Sequence, residues 1–171
     1  VTGSGAVSAS GAIDAENDIS ITGDSVTLSG TVGVSSAGTM TITSTANDVT
    51  VSSAASNAGG DITITSAGDA VINDAVAATA GSVTIGATGA TTITTAAISA
   101  DNDVTISGDS VLTVGVSTID VSTAGALAIT STANDVTLAD GVTNALGDIA
   151  ITSAGDATVE AVTATSGNID I

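Results

Sequence analysis

The chain has 171 residues and a formal net charge of −18, because it contains 18 Asp and Glu residues but no Lys, Arg or His. Cys, Pro, Phe, Trp and Tyr are also absent. A protein without cations cannot neutralise nucleic-acid phosphates, and it is repelled from an anionic membrane surface. Without cysteine it has neither disulfides nor thiolate metal sites. The composition therefore excludes nucleic acid as a partner.

Low complexity and high net charge are often typical of disordered chains, but 43% of these residues are hydrophobic. Many of them are Val and Ile, which favour β-strands. The stretch 75–100 is uncharged and long enough to span a bilayer. Its apolar residues alternate with polar ones, however, and it has no aromatic or basic flanks. We therefore expect a folded β protein that does not insert into membranes.

A five-residue motif recurs along the chain: Gly or Asn, a variable residue, and then an apolar–polar–apolar triplet. Such alternation predicts a strand with one buried and one solvated face. The motif reads NDISI at 17, GTMTI at 38, GDITI at 60, GSVTI at 81, NDVTI at 102, GALAI at 125, GDIAI at 147 and GNIDI at 167. Its central apolar residues follow one another at intervals of 20 to 23, and they are Ile19, Met40, Ile62, Val83, Val104, Leu127, Ile149 and Ile169.

Two further apolar positions follow each motif, so that each period predicts three short strands. The second series is Val26, Val49, Val71, Thr92, Val111, Val136 and Val159, and the third lies near Val32, Ala54, Val76, Ile98, Ile119, Val142 and Val162. A repeat of about 21 residues with three strands predicts an all-β fold, a parallel β-helix (β-solenoid) of about eight turns stacked about 4.8 Å apart. A helical fold is disfavoured because apolar residues lack i, i+3, i+4 spacing. An antiparallel sandwich would not require a constant interval.

A larger repeat is visible in identical strings. ITSTANDVT begins at 42 and 129, and ITSAGDA begins at 64 and 151, so each pair is 87 residues apart. Four turns thus form a superrepeat of about 86 residues. We predict one continuous solenoid over 1–171 with two superrepeats, about 1–85 and 86–171.

The two ends of the sequence look like two parts of one turn. GNIDI followed by the N-terminal residues aligns without a gap with residues 81–103, which pairs Val1 with Gly86 and Asp18 with Asp103. We therefore expect a solenoid that is open at both ends and continues into neighbouring copies, either covalently or as separate subunits, with lateral bundling as a further mode of contact. The predicted assembly ends are Gly167, Asn168, Ile169, Asp170, Ile171, Val1, Thr2 and Gly3.

Aspartates flank the first predicted strand on both sides. The residue before it is acidic at every second turn (Asp18, Asp61, Asp103 and Asp148), which keeps like charges about 9.6 Å apart and favours direct stacking of turns. The series after it lacks this alternation, so its carboxylates are either solvated turn residues or calcium ligands. These calcium candidates are Asp24, Asp48, Asp69, Asp109, Asp135 and Asp156. EF-hand and nine-residue β-roll spacings are absent, and we predict no other cofactor.

Catalysis is not expected. Nucleophile–base pairs and oxyanion-stabilising cations need His, Cys, Lys, Arg or Tyr, and the chain has none. Carboxylate pairs of the glycosidase kind remain, but each carboxylate belongs to a repeating turn. An alternative function is ligand binding, to ice or a surface glycan, on outward hydroxyls that resemble the binding face of β-helical antifreeze proteins. These are Thr41, Thr43, Thr63, Thr65, Thr84 and Thr105.

The strings GDITITSAGDA, NDVTISGDSV and ITSTANDVTL resemble the repeats of giant bacterial surface proteins. They are most similar to filamentous-haemagglutinin-type adhesins and related β-strand-repeat exoproteins. This resemblance implies a right-handed solenoid that serves as a rigid extracellular stalk or fibre, secreted by a bacterium and displayed at the cell surface. The function expected from the sequence is therefore structural.

Overall fold

The computed structural model describes residues 1–115 and 117–171. Its regular elements are all β-strands, and none of the described residues forms a helix that could cross a membrane. The strands are β1 (Ala6–Ala9), β2 (Ile13–Ala15), β3 (Ile19–Gly23), β4 (Ser25–Leu28), β5 (Val32–Val34), β6 (Met40–Ser44), β7 (Val49–Val51), β8 (Ala55–Asn57), β9 (Ile62–Ser66), β10 (Ala70–Ile72), β11 (Val76–Ala78), β12 (Val83–Ala87), β13 (Thr91–Thr94), β14 (Ala97–Ala100), β15 (Val104–Gly108), β16 (Val111–Val114), β17 (Thr118–Val121), β18 (Leu127–Ser131), β19 (Val136–Asn144), β20 (Ile149–Thr152), β21 (Ala157–Ala164) and β22 (Ile169–Asp170).

These strands form three parallel stacks. The first stack is an eight-stranded sheet of β3, β6, β9, β12, β15, β18, β20 and β22. The second contains β1, β4, β7, β10, β13 and β16, and the third contains β2, β5, β8, β11, β14 and β17. In β19 and β21 the chain passes from the second stack to the third within one strand, which joins these two stacks into a 14-stranded sheet. The predicted parallel β-solenoid of about eight turns, with three strands in a turn, is confirmed.

The first predicted apolar series is confirmed as one continuous ladder. Ile19 pairs with Met40, and the pairing continues in unbroken register to Ile169. Every member except Ile169 is buried. Burying one such side chain contributes about 1.5–3 kcal/mol, so stacked aliphatic side chains can hold this slim core together without aromatic residues.

The second and third series are wrong at several positions. Ala70 and Thr91 occupy the buried ladder of the second stack, whereas Val71 and Thr92 beside them point outward. Further along, Ala157 pairs with Val136, so Val159 is the next inward residue. In the third stack the buried residue is Ala55, where the sequence indicated its neighbour Ala54. The corners vary in length, and a shift of one residue moves every side chain of a strand to the opposite face.

The register at the N terminus also corrects the gapless alignment. Thr2 bridges to Thr22, and the ladder from Thr22 runs through Thr43 and Thr65 to Gly86. Thr2 therefore corresponds to Gly86, so the predicted pairing of Val1 with that residue is wrong by one position.

Candidate functional site: cross-turn ladders and open ends

The alternating acidic row before the first stack bonds each turn to the next. Oδ1 of Asp18 accepts the backbone N–H of Thr39 at 2.8 Å. Asp61 accepts the N–H of Ser82 at 2.8 Å, and Asp103 and Asp148 do the same for the turns that follow them. Alternation thus supplies an acceptor for the next turn in addition to spacing the charges. The spacing of these aspartates in the sequence does not predict that they accept amides of the next turn.

The predicted calcium candidates line up along the corner between the first and second stacks. Oδ1 of Asp48 accepts the amide of Asp69 at 2.8 Å, and Oδ1 of Asp69 accepts the amide of Ala90 at 2.8 Å. Asp135 accepts the amide of Asp156 at 2.9 Å. Residues 1–115 and 117–171 contain no group of three or more His, Cys, Asp or Glu that could hold a metal ion. One oxygen of each of these three carboxylates therefore accepts a backbone amide, and calcium binding stays an untested alternative to solvated turn residues.

A glycine lies beneath each of these bonding carboxylates. A Cβ added to Gly68 would lie 2.3 Å from Oδ1 of Asp48, and one added to Gly89 would lie 2.1 Å from Oδ1 of Asp69. At Gly155 the same distance to Oδ1 of Asp135 would be 2.3 Å. The carboxylate crosses over the glycine and bonds the amide of the following residue. We call this unit the aspartate–glycine contact.

Two pairs of serines close the same corner from the inside. The hydroxyls of Ser44 and Ser66 lie 3.1 Å apart, and each also donates to a corner carbonyl. Ser131 and Ser153, 87 residues later, repeat the arrangement at 3.2 Å. These serines were not predicted as functional residues, although each of the four stands in a string that occurs twice.

A buried asparagine organises the corner between the third stack and the first. Nδ2 of Asn57 donates to the carbonyls of Gly38 and Asp61, at 2.8 and 2.9 Å. Its Oδ1 accepts the amides of Gly59 and Gly60, at 3.2 and 3.1 Å. Asn144 makes the equivalent four bonds in the second superrepeat. The side chain thus meets its full hydrogen-bonding capacity inside the protein.

The structure brings the six predicted threonines together. Thr41, Thr63, Thr84 and Thr105 form one column on the outer face of the first stack, and Thr43 and Thr65 form a second. Gly86 interrupts the second column. No carboxylate occupies an outward position of this face between Ser20 and Thr152, because the two aspartate rows lie at its edges. The result is a neutral hydroxyl surface between acidic borders.

The predicted assembly residues lie at opposite ends of the stack. Val1 to Gly3 pair with the outer edge of β3, where Thr22 donates its N–H to the carbonyl of Val1 at 2.8 Å. At the other end, β22 pairs with β20 only, and Ile169 and Ile171 are 45% and 60% exposed. The inward residues of the terminal turns are only partly covered, and these are Val7, Ala9, Ile13 and Ala15 at one end and Val159, Val162 and Ala164 at the other.

A groove of about 580 Å³ on the outer face of the third stack was not foreseen. Its floor is low because Gly33 carries no side chain, and its walls include Asp14, Glu16 and Ser56. These polar side chains are exposed to solvent. The groove is therefore an open surface depression whose polar side chains are accessible to solvent.

No protein family, curated protein or solved structure matches this chain. A parallel β-solenoid does not by itself select a family, since fold does not determine function. The resemblance to filamentous-haemagglutinin-type adhesins therefore rests on the repeat strings alone.

Proposed function

We propose that this chain is a structural, non-catalytic segment of an extracellular fibre or adhesin stalk, in which the solenoid continues from one copy into the next. The observation that carries the proposal is the pair of uncapped ends. Val7 and Ile13 at one end, and Val159 and Val162 at the other, belong to the inward ladders and are only partly covered. Another turn of the same kind would cover either end.

The physical chemistry of the edges supports the same proposal. Unpaired strand edges are normally an aggregation hazard, and proteins block them with charges, proline or a covering segment. Here the edge strands carry neither proline nor cations, and their few carboxylates are Asp14 in β2, Glu160 in β21 and Asp170 in β22. Head-to-tail contacts that do not close into a ring generate filaments. The extracellular, bacterial setting of this proposal comes from the resemblance of the repeats.

Electron microscopy and sedimentation velocity of the purified chain test this function. We expect unbranched filaments of uniform width whose length increases with protein concentration. A single chain of eight turns is about 38 Å long, from a spacing of about 4.8 Å per turn. Particles that keep this length at every concentration would refute end-to-end assembly.

The alternative function is ligand binding on the threonine face, and the two hydroxyl columns favour it. Thermal hysteresis tests ice as the ligand, and a glycan array tests surface sugars. Thr63→Tyr should abolish either activity, whereas Thr50→Tyr is the matched control on the second stack, where the side chain is also half-exposed. Equal effects of the two variants, or no activity in the parent protein, would remove this alternative.

A further inference from the structure

Gly5 differs from the other glycines at its corner position. The amide of Asp24 donates to the carbonyl of Gly5 at 2.8 Å, as the amide of Asp109 donates to that of Gly89 at 2.7 Å. Gly5 and Gly89 are therefore equivalent. Gly89 lies beneath the carboxylate of Asp69, but a Cβ added to Gly5 would meet nothing within 4 Å. Among the described residues of one chain, no contact explains a glycine at this position.

Asp156 has the carboxylate that an aspartate–glycine contact with Gly5 would need. It lies 87 residues after Asp69, in the second copy of the string ITSAGDA. Its own amide is bonded to Asp135, as the amide of Asp69 is bonded to Asp48. Its carboxylate is exposed and accepts no hydrogen bond from the described residues.

We propose that a second copy of this chain stacks its first turn on the last turn of the first copy through one more aspartate–glycine contact. Oδ1 of Asp156 crosses over Gly5 of the second copy and accepts the amide of Ala6, as Asp69 does with Gly89 and Ala90. This inference rests on the proposed function and defines the register of its junction. Val7 then stacks on Ala157, as Thr91 stacks on Ala70 within the chain.

The lengths of the corners support this register independently. From the last inward residue of each first-stack strand to the first inward residue of the next second-stack strand, successive turns have two, four, three, three, two, four and three intervening residues. The cycle of four requires three residues next. The first turn supplies three, residues 4–6 between Gly3 and Val7. In this register Ile171 of the first copy and Val1 of the second copy occupy the same position of the first stack. One of the two residues is therefore displaced.

The charges also follow a cycle of four. Three aspartates, Asp24, Asp48 and Asp69, precede the neutral Ala90, and three more, ending at Asp156, precede the junction. In the proposed register the next residue of this row is the neutral Ala6. The junction therefore adds no carboxylate beside Asp156, which matters in a chain of net charge −18.

Gly5→Ala tests the contact directly. The new methyl should leave the single chain folded, because nothing lies within 4 Å of it, but it would collide with Asp156 of the neighbouring copy. We expect the critical concentration for filaments to rise at least tenfold. Gly141→Ala is the matched control, since its Cβ also meets nothing within 4 Å and it lies at a different corner, one turn inside the edge strand β21. Equal critical concentrations for the two variants would overturn the register.

Asp156 variants test the other half. Asp156→Asn keeps an Oδ1 acceptor and should assemble, whereas Asp156→Ala loses the acceptor and should assemble poorly. Combining Asp156→Ala with Gly5→Ala removes the collision, so the double variant should assemble no worse than Asp156→Ala alone. A double variant as poor as the product of the two single effects would contradict direct contact.

Cysteine cross-linking separates this inference from the proposed function. In the proposed register Ser8 of one copy lies beside Thr158 of the other, as Thr92 lies beside Val71. Mixed Ser8→Cys and Thr158→Cys proteins should form a heterodimeric disulfide in this cysteine-free background, whereas Ser8→Cys mixed with Thr163→Cys should not. Filaments without the first cross-link would overturn the register alone. A parent chain that forms no filaments would overturn the proposed function and this inference together.

Discussion

The corners that flank the first stack are the same in both superrepeats, whereas the corner between the second and third stacks differs. Ser44 and Ser66 lie 3.1 Å apart, and their counterparts 87 residues later lie 3.2 Å apart. By contrast, β7 and β8 are separate strands, but the equivalent residues of the second superrepeat form the single strand β19. Two turns of this variable corner also contain positive φ angles, 51° at Thr95 and 73° at Gly115.

The difference between the corners follows from the hydrogen-bond partners of their polar side chains. At the flanking corners, buried serine hydroxyls and a buried asparagine side chain make hydrogen bonds to backbone groups of two successive turns. Both the type of these residues and their spacing are therefore constrained. The variable corner is held by fewer side chains, such as the carboxylate of Asp140, which accepts the amide of Ser117 at 3.0 Å. Backbone that faces water tolerates insertions, because solvent can satisfy its hydrogen bonds. Four substitutions test this contrast.

Asn57→Ala should have the largest effect. It leaves two carbonyls and two amides without their buried partner, and we expect the free energy of unfolding to fall by about 3 kcal/mol or more. Urea denaturation followed by circular dichroism measures this. Asn73→Ala, an exposed asparagine at the variable corner, is the control and should change stability by less than about 0.5 kcal/mol. Similar losses in the free energy of unfolding for both variants would show that the two kinds of corner do not differ.

Gly60→Ala should be the next most damaging. The added Cβ would lie 2.0 Å from the carbonyl oxygen of Gly38, a backbone atom that cannot move aside without disturbing the stack. We expect a loss of about 2 kcal/mol, in the range for overpacked sites. Gly141→Ala at the variable corner should be near neutral. A destabilised Gly141→Ala would mean that this corner is as tightly constrained as the others.

Ser66→Ala should have a moderate effect. The hydroxyl of Ser66 donates to the carbonyl of Asp69 at 2.7 Å and accepts the amide of Val49 at 3.1 Å. Its loss should lower the free energy of unfolding by about 1–2 kcal/mol. The exposed Ser56→Ala is the control. No change at Ser66 would show that water replaces the hydroxyl and that the serine pair is dispensable.

Asp48→Asn should have the smallest effect, since its Oδ1 can still accept the amide of Asp69. The urea midpoint should stay close to that of the parent chain, whereas Asp48→Ala should lower it. The melting temperature in calcium should equal that in EDTA for the parent chain. A calcium-dependent rise that Asp48→Asn removes would instead support the calcium prediction for this row.

Some residues were placed correctly from the sequence and others were not, each for a physical reason. The ladder from Ile19 to Ile169 was predicted correctly because its motif recurs within each turn with little variation in interval. Val71 and Thr92 were placed on the wrong face because the corners before them have three residues, whereas the corner before Val49 has four. Asn57 was missed because a polar residue in a strand normally indicates a solvated face. The amide bonds of the aspartates were missed because their donors belong to the next turn.

The sequence by itself determined the parallel solenoid, its period and the phase of its first stack, since a ladder requires equal spacing of like residues. Only the tertiary structure decided the faces of the second stack, the bonds of each aspartate and the burial of Asn57 and Asn144. These features depend on which backbone groups and side chains of the adjacent turn lie against them. The conformation of a corner depends on the adjacent turn, because that turn supplies the carbonyls and amides that its side chains bond and the space above its glycines.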